Sequence, residues 1–159
     1  MSLLNLDLNN LLLESFVLRR QDKVIVTTNG CFDILHYGHL KLFKFCKTLG
    51  DILIVGINSD LSVKKIKGDN RPIINEKNRL KLIQELHEVD YAFLFNEETP
   101  INFLNIIKPD IHVNHYKYGY DCVEADTVIK NKGKIVLFKE DYDISTTKIV
   151  NNILEKNYD

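Results

Sequence analysis

Residues 51–58 read D-I-L-I-V-G-I-N, a nearly unbroken apolar run with no alternation of polar and apolar positions. A run of this kind fits a strand covered on both faces, as strands are inside a parallel sheet, and parallel strands need crossover connections. Four further extended runs follow the same logic: K-V-I-V-T-T from Lys23, V-D-Y-A-F-L-F from Val89, D-I-H-V-N from Asp110 and K-I-V-L-F from Lys134. Between them lie segments with apolar residues at helical spacing. From His39 to Leu49, the residues Leu40, Leu42, Phe43, Phe45, Cys46 and Leu49 mark a helix that Gly50 ends. Leu80, Ile83 and Leu86 mark a second, with Asn75 as its N-cap. Thr99 caps a third that has Pro100 at its first position and stops before Pro109. A helix over about 122–131 and a last one capped by Ser145, holding Ile149, Val150, Ile153 and Leu154, complete the pattern.

This alternation, with crossovers that are almost always right-handed, predicts an α/β fold: a three-layer, doubly wound, Rossmann-like parallel sheet of about five strands with helices on both faces. The stretch S-D-L-S-V-K-K-I-K-G-D-N-R-P from Ser59 reads as a long polar loop carrying Lys64, Lys65, Lys67 and Arg71. Leu3, Leu6, Leu11, Leu12, Phe16 and Val17 predict an amphipathic helix at the amino end, so residues 1–22 are expected to be a helical extension and 23–159 a single domain.

Composition narrows the partners. With 159 residues, 45% of them hydrophobic, the chain can bury a core without disulfides or structural metals. A net charge of -1 gives no global attraction to nucleic acid or to an anionic membrane, so any anion site must be local. Cys31, Cys46 and Cys122 are odd in number and widely spaced, which predicts reduced thiols and a cytoplasmic protein. M-S-L-L-N-L-D-L-N-N lacks a basic leader pattern, and the apolar run at Ile52 is too short to span a bilayer; neither secretion nor a membrane partner is expected.

In open α/β sheets ligands bind beyond the carboxyl ends of the strands, near the reversal of strand order. T-N-G-C-F-D-I-L-H-Y-G-H-L, from Thr28 to Leu40, lies at such an end. Neither G-x-x-x-x-G-K-[ST] nor G-x-G-x-x-G occurs after the first strand. What stands there is a turn at Gly30, then His36, then Gly38 permitting close backbone approach, then His39 at the start of a helix. Free N–H groups and the positive end of a helix dipole favour an anion, and two imidazoles add donors. A zinc reading of the H-x-x-H spacing lacks a third and fourth ligand, so no resident metal site is predicted. His87 and His112 read as incidental, and Cys31 as a packed loop thiol.

With these residues in view, the chain resembles the nucleotidyltransferases that carry an H-x-G-H signature, here His36-Tyr37-Gly38-His39. The likeness continues through G-D-I-L-I-V-G-I-N-S-D, K-G-D-N-R-P, R-L-K-L-I, V-D-Y-A-F-L-F-N-E-E-T-P, K-P-D-I-H-V and I-S-T-T-K-I. It is closest in pattern to heptose 1-phosphate adenylyltransferases and also similar to glycerol-3-phosphate cytidylyltransferases. The resemblance implies an enzyme that joins the nucleoside monophosphate of an NTP, ATP or CTP, to a sugar or polyol phosphate, with Mg2+ accompanying the nucleotide and pyrophosphate leaving. ATP with a heptose-type acceptor is the first expectation, CTP with glycerol 3-phosphate the second, and a silent nucleotide-binding protein the alternative outside catalysis.

Residue by residue, the resemblance implies catalytic roles for His36, His39, Lys64 and Arg79. Asn29, Gly30, Cys31, Phe32, Asp33, Gly38, Ser145, Thr146 and Thr147 are expected to bind the nucleotide, with Asp33 near its phosphates and metal ion. Lys65, Lys67, Arg71, Asn114 and Tyr116 are expected to bind the acceptor. Family members often form homodimers, which is expected here as well. The chain departs from the heptose enzymes after the fourth strand, where N-H-Y-K-Y-G-Y replaces a K-G-G-D-[YW] type segment, and Asp143 stands where the glycerol-phosphate enzymes carry glycine.

Overall fold

A computed structural model describes residues 8–19, 21–139 and 144–156. In chain order its elements are α1 (Leu8–Arg19), β1 (Ile25–Gly30), α2 (Tyr37–Leu49), β2 (Ile52–Asn58), α3 (Asp60–Lys67), α4 (Glu76–Gln84), β3 (Tyr91–Phe95) and α5 (Ile101–Ile107). There follow β4 (Ile111–His115), a 3-10 turn at Tyr116–Tyr118, α6 (Ala125–Lys130), β5 (Lys134–Phe138) and α7 (Thr146–Glu155). The five strands form one parallel sheet in the order β3-β2-β1-β4-β5.

The expected layers are present. On one face Phe43 and Cys46 of α2 and Ile83 of α4 pack on Val26, Leu53, Val55, Ile57 and Val113. On the other, Leu18 of α1, Phe103, Leu104 and Ile107 of α5 and Val128 of α6 cover Ile25, Ile54, Phe93 and Phe95. β2 and β3 thus send alternate side chains into two separate apolar layers, which is why their sequences show no polar face, whereas β4 places Ile111 and Val113 in one layer and His112 on the other face.

Strand order reverses between β1 and β4, and there the ladder is short. β1 pairs with β2 from Ile25↔Ile52 through Gly30↔Ile57, whereas β1 and β4 pair only at Val26↔Ile111 and Thr27↔His112. Both strands run on past that point, to Gly30 and His115, so the sheet forks at its carboxyl edge.

Three expectations are corrected, and one is given its physical reason. The stretch from Ser59 is not a loop throughout: Ser59 accepts from the Ser62 N–H and caps α3, whose buried Ser62 and Val63 anchor a helix that otherwise presents lysines to water. Gly50 ends α2 as expected, in extended backbone (φ −168°). Glycine is needed there for space, since a Cβ would stand 2.6 Å from Val26 Cγ2 and 2.9 Å from the Val24 carbonyl. Pro100, not Thr99, is the residue at the N-cap of α5. In α1, Leu12, Phe16 and Val17 face solvent; the helix is held by buried Leu18 and Ser15 and by Arg19, which donates to the Ile107 and Lys108 carbonyls at the end of α5. Leu3, Leu6 and the Leu11 side chain lie outside the described residues, as does Asp143.

Candidate active site

The loop from β1 to α2 is built around Phe32. Its backbone takes φ 47°, a left-handed conformation that a bulky residue adopts only when its surroundings impose it. The ring, 4% exposed, packs edge-on against His39 at 5.2 Å and against Phe43 at 5.3 Å. Gly30 makes room for it, because a Cβ at that position would lie 3.1 Å from the Phe32 ring.

His36 is the N-cap of α2 and His39 lies in its first turn, with buried Gly38 between them. The His36 backbone N–H donates to His39 Nδ1 at 3.3 Å, and the two imidazoles stack with centroids 3.7 Å apart and planes 24° from parallel. Burial, together with the charge of His36, lowers the His39 pKa to about 3. His39 is therefore neutral near pH 7, and because Nδ1 accepts, its proton sits on Nε2 as a donor.

Two arginines tie this loop to its neighbours. Arg79 of α4 is fully buried; Nε donates to the Ile74 carbonyl at 2.9 Å, Nη1 to the Cys31 carbonyl, and Nη2 to Asp60 Oδ1 at 2.8 Å. Its planar fork thus joins the histidine loop, the start of α3 and the turn before α4. Asp33, 5% exposed, accepts from Arg71 Nη1 at 2.7 Å and from the Ile73 and Ile74 N–H groups at 2.8 and 2.9 Å. Burial alone would raise the Asp33 pKa; the two backbone bonds and Arg71 outweigh it and hold the carboxyl below its ordinary value. Arg71 is followed by a cis peptide bond to Pro72.

At the other end of the chain, Ser145 accepts from the Lys148 N–H and caps α7 as expected. Thr146 Oγ1 donates to the Ile34 carbonyl at 3.3 Å, which sets the amino end of α7 against the histidine loop. Thr147 is exposed, as are Lys64, Lys65 and Lys67 on α3. Asn29 is half-buried near the end of β1, and Cys31 is half-buried with its thiol pKa raised by burial. The structure therefore brings His36, His39, Asp33, Arg71, Ser145 and Thr146 around one loop. Arg79 stands behind that loop with its donors turned to protein acceptors.

The end of β4 carries a second polar group of residues. Asn114 Nδ2 donates to Glu124 Oε1 at 2.7 Å, and Asn114 Oδ1 accepts from the His115 N–H at 3.0 Å. His112, fully buried, bonds Thr27 Oγ1 through Nδ1 at 2.8 Å, and its Nε2 lies 3.5 Å from Glu124 Oε1. Burial opposes the charge of Glu124, but His112, with the residue's own backbone N–H and the Cys122 thiol, outweighs it, so the Glu124 pKa is lowered. Tyr116 is 41% exposed beside His115, with Lys139 Nζ 5.6 Å from its ring centre. His112, read as incidental, and Glu124, not considered, are the residues that the sequence reading missed. The signal was available: a histidine flanked by Ile111 and Val113 in a strand covered on both faces must find a buried partner.

Asp33 Oδ1 is filled by the Ile73 and Ile74 N–H groups and Oδ2 holds Arg71, so the carboxylate anchors that arginine and the turn before α4. Among the described residues, no three His, Cys, Asp or Glu side chains group to hold a metal ion. A shallow groove lined by Ile74, Asn78, Lys81, Leu82 and Glu85 runs along α4 and includes neither histidine. No described helix is long and apolar enough to cross a membrane.

Comparison with known proteins agrees with this fold. The Cytidylyltransferase-like family model matches residues 27–152. The Bifunctional protein HldE of Campylobacter jejuni subsp. doylei is 43% identical over 140 residues, 88% of this chain and 30% of the relative. That of Nitratiruptor sp. is 48% identical over 134 residues, 84% of this chain and 28% of the relative. The chain thus spans about 30% of the length of these curated relatives. Among solved structures, the lipopolysaccharide core biosynthesis protein from Thermoplasma volcanium is 33% identical with a TM-score of 0.61, covering 76% of this chain and 99% of that one. Pantoate-beta-alanine ligase from Francisella tularensis, with a TM-score of 0.61 at 17% identity over 94% of this chain and 76% of its own, shares the fold. The chain belongs to the cytidylyltransferase-like family.

Proposed function

We propose that the chain transfers the nucleoside monophosphate of an NTP, ATP in the first instance, to a heptose 1-phosphate type of acceptor and releases pyrophosphate. The observation that carries this reading is the stacked His36–His39 pair at the amino end of α2, beside the amino end of α7, at the fork of the sheet. An acceptor phosphate oxygen attacks the α-phosphorus, the bond from that phosphorus to the bridging oxygen breaks, and the electron pair leaves with pyrophosphate. No protein nucleophile takes part, so catalysis consists of positioning and of stabilising charge on the phosphate oxygens.

In this reading His39 Nε2–H and His36 donate to the phosphates, the free N–H groups at Ser145–Thr147 receive the β- and γ-phosphates, and Lys64, Lys65 and Lys67 cover them from α3. Arg79 acts through the loops it joins, as a positioning residue. Mg2+ arrives on the triphosphate, the usual way this ion is held, and needs no protein cage. A cytoplasmic homodimer making precursors of a surface glycan belongs to the same reading, and sedimentation velocity tests the dimer. The second reading, CTP with glycerol 3-phosphate, is favoured by I-S-T-T-K-I.

A pyrophosphate-release screen crossing ATP, CTP, GTP and UTP with heptose 1-phosphate and glycerol 3-phosphate decides between them. Turnover with ATP and heptose 1-phosphate supports the first reading. Turnover confined to CTP and glycerol 3-phosphate replaces it with the second, and release that no acceptor increases removes both.

A further inference from the structure

Asn114 opens the segment N-H-Y-K-Y-G-Y, and its arrangement with Glu124 has a physical cost that asks for a purpose. Glu124 is 5% exposed and His112 is fully buried, on the sheet face covered by α6. Burying a carboxylate and an imidazole is unfavourable compared with filling the same volume with apolar side chains. Their bonds do not reach the histidine loop. They converge on Asn114, whose carboxamide is fixed at both ends, by Glu124 through Nδ2 and by the His115 N–H through Oδ1. Thr27 and His112 form the last rung between β1 and β4, and Asn114 stands two residues further along β4, where the fork has opened.

The fixed carboxamide retains hydrogen-bonding capacity. Oδ1 has a second lone pair, and the second Nδ2 hydrogen is directed at the Cys122 thiol, a weak partner that a hydroxyl oxygen displaces. An acceptor and a donor held side by side match a hydroxyl group, which is both, better than they match a phosphate, which at neutral pH chiefly accepts.

We propose that Glu124, braced by His112, is a positioning residue that holds the Asn114 carboxamide in the β1–β4 fork to hydrogen-bond the hydroxyl groups of a sugar. The sugar is the ribose of the nucleotide or the sugar of the acceptor; the chemistry is the same for both, and this inference rests on the proposed nucleotidyltransfer.

The test uses Asn114→Ala, Glu124→Ala, Glu124→Gln and the double alanine variant, with calorimetric binding of ATP, 2′-deoxy-ATP and 3′-deoxy-ATP and steady-state kinetics with heptose 1-phosphate. Each alanine variant is expected to weaken one ligand about tenfold, the effect of one lost hydrogen bond, with a smaller change in kcat. The double variant should be no worse than either single one, and Glu124→Gln, which keeps an oxygen facing Asn114, should recover most of the loss. If ribose is the sugar, the preference for ATP over a deoxy analogue collapses. If the acceptor is, ATP binding is unchanged and the KM for heptose 1-phosphate rises. Unchanged constants in Asn114→Ala, or losses in the two single variants that add in the double and follow its melting temperature, overturn the proposal. Should the wild type not turn over heptose 1-phosphate, the first reading of function fails by itself; the same variants are then measured with the NTP and acceptor that the pyrophosphate-release screen identifies and with that NTP's 2′- and 3′-deoxy analogues, and constants unchanged for both ligands overturn the positioning role.

Discussion

Arg79 donates through Nη1 to the carbonyl oxygen of Cys31, so a side chain of α4 fixes the residue from which the histidine loop departs. The same guanidinium holds the Ile74 carbonyl and Asp60. A guanidinium with no exposed surface and acceptors in three directions is a structural brace whose failure is felt at the histidines.

Arg79→Ala leaves two backbone carbonyls without donors and a void behind the loop. Asp60 remains partly hydrated, so the loss of stability is set at about 3 kcal/mol, mostly from the unsatisfied carbonyls and the cavity. Urea denaturation should show this loss together with reduced turnover. Reduced turnover at wild-type stability would mean that Arg79 touches the substrate directly.

His39→Ala is expected to lower kcat by roughly 100-fold or more, the usual consequence of removing a well-placed donor from a developing charge. Near-normal turnover in folded protein would remove His39 from the mechanism.

The pKa of His39, about 3 against an ordinary 6.5, has a sign that can be checked. Between these values the unfolded chain binds the proton more readily than the folded one. The stability associated with neutral His39 is complete above pH 6.5 and is lost as pH falls toward 3, at up to about 1.4 kcal/mol per pH unit. Denaturation of wild type and His39→Gln at pH 7, 5.5 and 4.5 should therefore show the difference between them moving in favour of the variant as pH falls. Parallel curves would count against the depressed value.

Lys64, Lys65 and Lys67 are exposed, so replacing all three with alanine should change stability by no more than about 0.5 kcal/mol per site. Their expected effect is on the nucleotide: a higher KM for the NTP and a weaker dependence of that KM on salt. An unaltered KM across the salt range would leave α3 as an ordinary solvated surface.

Gly50→Ala pushes a methyl group into Val26 Cγ2 and the Val24 carbonyl, in a place where backbone cannot yield. Destabilisation by about 1–3 kcal/mol is expected, read as a lower melting temperature with kinetic constants preserved in the folded fraction.

The strands and their layers were legible because burial on two faces leaves a continuous apolar signature, as in Ile52–Asn58. Caps at Asn75 and Ser145 were legible for a local reason, each bonding an N–H three residues on. α3 was hidden because only Ser62 and Val63 face the core, too few to write a helical stripe over a run of lysines. The role of Arg79 was hidden for the opposite reason: charge suggests contact with substrate, while its acceptors are backbone carbonyls and Asp60, which come together only when the chain folds. His112 and Glu124 are twelve residues apart and meet across a strand-to-helix turn, a proximity that no spacing rule announces.

The fork between β1 and β4 gives any bound ligand a mechanical part in the molecule. Strands β3-β2-β1 on one side and β4-β5 on the other share two rungs, Val26↔Ile111 and Thr27↔His112, and a molecule lodged beyond them occupies the place of the rungs that are missing. On the proposed reading, substrate is a tie between two half-sheets, so saturation should stiffen the structure as a whole, slowing amide exchange in strands that touch no ligand.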